Sequence, residues 1–184
     1  MQRGFKSQAE RVAGELRAQL GLNAAEPLCP WKLADHLSIH VFDVKDLPLP
    51  ANDLDHLTGD GADSWSGFSL REAGLIGVVL NSSHAKGRLR STLMHEISHI
   101  YLGHSGSQVS LHEGTLLISD FSRDQEDEAD WLSGALLLPR EALLQARSAN
   151  LTNPQICERY GVSDDMCIWR IRMTGVDVQM RRRR

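Results

Sequence analysis

The sequence predicts an α+β fold. Apolar residues recur at helical spacing in residues 7–20, with Val12, Leu16 and Leu20 on one stripe beside Ala9 and Ala13. The β segments cluster between Ile39 and Asn81. Beyond Asn81 the pattern turns helical and stays so, apart from one Gly/Ser-containing stretch.

Each element has its own signal. "GLN" at 21–23 stops the first helix. "PWKLADHLSIHVFDV" reads as a short helix opening on Pro30 and passing into a strand around Ile39–Val44. Residues 48–66 are rich in Asp, Gly, Pro and Asn and are expected to be loop. "WSGFSLREAGLIGVVLN" reads as β structure with a turn at Glu72–Gly74, and Leu75–Leu80 is its strongest strand. The next helix carries Leu89, Leu93, Ile97 and Ile100/Tyr101 on one stripe and stops at Gly103; Tyr101 is read as core. Residues 105–122 are expected to be loop. "RDQEDEADWLSGALLL" begins acidic, as a helix N-terminus favours, and ends before Pro139; Trp131 and Leu136–Leu138 are read as core. Pro139 opens a helix over Arg140–Ala149. Two short helices follow, joined at Gly161–Val162–Ser163, with Ser163 as the second one's N-cap.

Composition narrows the function classes. The 184 residues are 41% hydrophobic and 24% charged, as expected of one globular domain. A net charge of −4 gives no general electrostatic reason to bind nucleic acid. Four terminal arginines, Arg181–Arg184, read as a frayed solvated tail. Three cysteines without a C-x-x-C pair argue against a disulfide framework and point to a reducing cytoplasm. The N-terminal stretch lacks the apolar core of a signal peptide, and no apolar run suits a membrane span.

The chemistry lies in "STLMHEISHIYLGH", residues 91–104. His95 and His99 are one helical turn apart, so both imidazoles project from one face and can reach one zinc ion. Glu96 sits beside the metal, placed to act as general base on the attacking water. A catalytic site needs a third protein ligand. The extended motif H-E-x-x-H-x-x-G-x-x-H fails here, because Gly103 and His104 fall at the wrong distances. The acidic "EDEAD" of the later helix supplies the alternative. Glu126 and Asp130 share a face, while Glu128 points elsewhere. Glu126 is therefore expected as third ligand. Asp130 is expected to accept a hydrogen bond from the far nitrogen of a ligand histidine. Ser133 and Gly134 continue that face with small residues, which would let this helix approach the motif helix. His104 is either a loop histidine or a polar group at the cleft mouth. His84 and His112 read as surface histidines, with assistance to catalysis as their alternative.

These segments resemble the ImmA/IrrE family of zinc metallopeptidases. The resemblance rests on "VVLN", "RLRSTLMHEISHIYLGH" and "EDEADWLSGALLLP", with weaker agreement in "PWKLADHLSIHV" and "ERYGVSDDMCIWRIRMTG". It implies a zincin-like metallopeptidase fold of the gluzincin kind: a small mixed sheet, a motif helix and a third-ligand helix, with two His and one Glu on zinc. On this reading residues 1–139 form the peptidase domain. Residues 140–180 form a helix-turn-helix-like segment packed on it, and 181–184 a basic tail. The implied function is a cytoplasmic zinc endopeptidase that cleaves a helix-turn-helix transcriptional repressor, relieving repression of mobile-element or stress-response genes. The alternative is a non-hydrolytic module that binds a repressor or partner protein, against which the intact Glu96 speaks. Direct DNA binding by the last two helices is disfavoured, since Asp164 and Asp165 would face phosphates.

Overall fold

The computed structural model describes residues 1–72, 74–104, 110–112, 115–117 and 121–182. A mixed three-stranded sheet packs against helices. Helix α1 (Phe5–Gln19) leads to α2 (Pro30–His36), then β1 (His40–Asp43), α3 (Ala51–Thr58) and the hairpin of β2 (Gly67–Glu72) and β3 (Leu75–Leu80). The strand order is β1-β3-β2, with β1 parallel to β3 (His40 opposite Gly77) and β2 antiparallel to it (Gly67 opposite Leu80). Val78, Val79 and Leu80 are buried, as the apolar run predicts for a central strand.

The motif helix α4 (Lys86–Leu102) lies across β2 and β3 and packs against α5 (Arg123–Leu137). Between them Ser110–His112 (β4) and Thr115–Leu117 (β5) pair antiparallel, where the sequence reading expected loop. Leu93, Met94 and Ile97 are fully buried; each contributes about 1.5–3 kcal/mol by leaving water. Tyr101, expected in the core, is instead 40% exposed, at the outer edge of the stripe. Trp131 and Leu136–Leu138 are buried as expected. Ser122 caps α5 in a reciprocal capping box with Gln125.

Two buried arginines finish the other end of α5. Arg17 donates to the Leu136 carbonyl (2.6 Å) and Arg170 to the Leu138 carbonyl (3.0 Å), satisfying C-terminal carbonyls that a helix leaves unpaired. Arg17 comes from α1. Arg170 comes from α8 (Asp164–Thr174), which follows α6 (Arg140–Ser148) and α7 (Asn153–Tyr160). Ser163 caps α8 as predicted, accepting from the Met166 N–H.

Two segments depart from expectation for one reason: their helices bury little. Helix α3 lies in the stretch read as loop and has no fully buried residue. Helix α9 (Val176–Arg182) continues into the arginine run, where Arg181 and Arg182 are exposed helical residues rather than frayed tail. Arg183 and Arg184 lie outside the described residues. Gly134 also differs from expectation. It faces α8, where a Cβ would stand 2.5 Å from the Trp169 ring and 2.8 Å from Arg170; the motif helix is not its partner.

Candidate metal centre

Helix α4 presents His95 and His99 one turn apart, and α5 crosses it with its acidic first turn over the same spot. The Nε2 atoms of His95 and His99 stand 2.9 Å apart. Glu126 faces both, with Oε2 3.2 Å from His95 Nε2 and Oε1 3.7 Å from His99 Nε2. Ligand atoms about 2.0–2.1 Å from a tetrahedral zinc centre stand roughly 3.3–3.4 Å from one another. The three observed separations bracket that value, and the residues fit a metal ion. His95, His99 and Glu126 are the one group among the described residues whose donor atoms converge in this way, all within 4.8 Å of one another.

Each imidazole is held from behind. Asp130 Oδ1 lies 3.1 Å from His95 Nδ1, one turn beyond Glu126 on α5. His104 Nδ1 lies 3.0 Å from His99 Nδ1, and its Nε2 is 3.4 Å from Glu128 Oε2. His104 therefore does not stand at the cleft mouth: its side chain is 7% exposed, behind the His99 ring. Phe121 stacks on His99 with ring centroids 3.6 Å apart.

Glu96 is buried beside this cluster, with Oε2 lacking a hydrogen-bond partner among the described residues and Ser69 of β2 next to it. Burial pushes its carboxyl up to about 7, against the opposing pull of His95 and of the Ser69 hydroxyl and backbone N–H. Burial takes His99 down to about 3, reinforced by His95 and His104, which leaves its imidazole neutral and able to ligate. For His95 burial acts downward too, but the Asp130 hydrogen bond and the charges of Glu96, Asp130 and Glu126 outweigh it, so its pKa is raised.

The cluster forms the floor of a cavity of about 720 Å³ whose walls are apolar: Leu49, Leu57, Trp65, Phe68 and Phe121. On the other side of His95 and Glu96 runs a smaller groove of about 330 Å³, with Ser66, Ser91, Thr92 and Ser133 along it. An extended chain can thus cross the site with one side in an apolar pocket and the other among hydroxyls. The Nε2 of His84 meets the Trp65 carbonyl at 2.9 Å. The side chain of His112 lies outside the described residues.

Periodicity missed Glu128 and the true place of His104. Their signal was present in a glycine one residue before a histidine at a helix end, and in a second glutamate between Glu126 and Asp130. The walls of the cavity had no signal of their own, since they come from four separate segments.

No curated protein and no solved structure matches the chain. The family model described as the IrrE N-terminal-like domain, Peptidase M78, matches residues 40–171, a span that runs from β1 into α8 and includes the whole candidate centre. With more than half of its length matched, and with a histidine pair, a glutamate and a buried carboxyl gathered in one cleft, the chain belongs to the IrrE N-terminal-like family of M78 peptidases.

Proposed function

We propose that the protein is a zinc-dependent endopeptidase with a zincin-like active site, acting in the cytoplasm on a helix-turn-helix transcriptional repressor. The observation that carries the peptidase reading is the placement of the buried Glu96 carboxyl beside the converging His95, His99 and Glu126. His95, His99 and Glu126 would hold the ion. A bound zinc supplies Lewis acidity to the scissile carbonyl and lowers the pKa of water.

The chain's own residues do the rest. Glu96 receives the proton of the attacking water and delivers it to the departing amine. A carboxyl already raised to about 7 can do both near neutrality. Asp130 holds the His95 ring in register. The apolar cavity takes a bulky side chain next to the scissile bond, and the hydroxyl-lined groove takes the chain beyond it.

The repressor as substrate rests on the family resemblance. No described helix is long and apolar enough to cross a membrane, and the three cysteines are free, as suits a reducing compartment. The test is to incubate the zinc-loaded chain with the helix-turn-helix repressor encoded nearest to it. One defined cut, absent with chelator, is expected. An intact repressor that still binds the chain would favour a non-hydrolytic module.

A further inference from the structure

We infer that His104 and Glu128 form a hydrogen-bond relay that positions His99 as a metal ligand; this rests on the metal reading of His95, His99 and Glu126. The fold builds the relay from local rules. Helix α4 ends with Gly103 at φ +69, and the chain closes on itself: the Gly103 N–H donates to the Ile100 carbonyl (3.2 Å) and the His104 N–H to the His99 carbonyl (3.0 Å). This Schellman closure needs a left-handed residue, hence glycine. It brings His104 back beside His99 although the two are five positions apart.

The tautomers follow from geometry. A neutral imidazole has one donor and one acceptor nitrogen. If His99 offers its Nε2 lone pair to a metal, its Nδ1 bears hydrogen and donates to His104 Nδ1 at 3.0 Å. That makes His104 Nδ1 an acceptor, so its hydrogen sits on Nε2, facing Glu128 Oε2 at 3.4 Å. An ionised carboxylate only accepts. The opposite arrangement would put a hydrogen on His99 Nε2, aimed at His95 and Glu126, where it blocks ligation. Glu128 selects between the two states.

The far end of the relay is anchored as well. The other Glu128 oxygen accepts from the Gln2 backbone N–H at 3.0 Å. The side chains of His104 and Glu128 are 7% and 14% exposed, so water is a poor substitute for either. Helix α5 thereby serves the centre three times: Glu126 would hold the ion, Asp130 sets His95, and Glu128 sets His99 through His104.

The test measures zinc affinity by competition with a chromogenic chelator, alongside the visible absorption of the cobalt-loaded chain. The variants are His104→Ala, Glu128→Ala, Glu128→Gln and the His104→Ala/Glu128→Ala double. Each alanine variant is expected to bind zinc about 10–100-fold more weakly and to shift the cobalt bands. The double variant should bind no more weakly than His104→Ala alone, because Glu128 acts through His104. Glu128→Gln, whose amide oxygen still accepts, should recover part of the loss.

Alanine variants that bind zinc within about threefold of the unaltered chain would overturn the relay, because loss of such a partner costs more than that. So would losses in the double variant that multiply. If His104→Ala does not fold, the glutamate pair decides, and equal affinities of Glu128→Ala and Glu128→Gln would overturn it. An unaltered chain that takes up no zinc would sink the metal reading itself, which separates that failure from a failure of the relay.

Discussion

Asp130 Oδ1 and His95 Nδ1 stand 3.1 Å apart on two different helices, which turns the other nitrogen of His95 toward Glu126. A carboxylate there fixes the ring's tautomer and raises its basicity as a ligand. The same helix that carries the expected third ligand therefore aims the first.

Replacing Glu96 by Gln should abolish cleavage without emptying the site. Gln keeps the size and hydrogen-bonding shape, and His95, His99 and Glu126 remain. Loss of a general base lowers rates by about 10²–10⁴-fold. A time course with the repressor, paired with metal analysis, checks both halves. Unimpaired cleavage would remove Glu96 from its role.

Glu126→Ala should do the reverse. The unaltered chain is expected to hold about one zinc ion, as a three-ligand catalytic site does. The variant should lose most of that affinity. Its melting temperature should no longer rise on adding zinc, because an ion that binds only the folded state stabilises it in proportion to its affinity. Calorimetry with and without zinc reads this directly.

Acid should weaken the metal-free fold through His99. Burial holds its imidazole at about 3 against an ordinary 6.5. Between these values the unfolded chain binds a proton there that the folded chain refuses, so stability is lost as pH falls. At pH 5 the loss is up to about 2 kcal/mol. Glu96 acts in the opposite sense, since its raised carboxyl binds more protons when folded between 4.5 and 7. Comparing the unaltered chain with His99→Gln keeps Glu96 in both. Urea unfolding with chelator should show the difference moving about 1–2 kcal/mol in the variant's favour from pH 7 to pH 5.

The apolar cavity predicts a preference beside the scissile bond. A peptide library should show cleavage next to large aliphatic or aromatic residues. Phe68→Ala, which enlarges the pocket, should cost at least about 10–200-fold on those sites, the value of a single methylene in an apolar pocket. A library profile indifferent to side-chain size would contradict this assignment of the cavity walls.

Gly134→Ala should destabilise the fold by about 1–3 kcal/mol, the usual cost of overpacking. Its Cβ would meet the Trp169 ring at 2.5 Å and the Arg170 side chain at 2.8 Å, so both neighbours must shift to admit it. Zinc affinity measured on the folded variant should be unchanged, because Gly134 faces α8 and not the centre.

Much of this was legible along single elements. Helical spacing put His95 with His99, and Glu126 with Asp130, on shared faces. Apolar runs and caps located β3, α4, α5 and the Ser163-capped α8, because those signals act within a few residues and need no partner. What lies opposite a face is another matter, for it depends on contacts between segments far apart in the chain. The sequence alone determined that two histidines and a glutamate could share an ion. Only the tertiary structure decided that Gly134 meets Trp169, that Glu128 reaches His104, and that α3 helps wall an apolar cavity. Pair contacts of that kind leave no period in a sequence, since either partner can change its size or place while the other's local pattern stays the same.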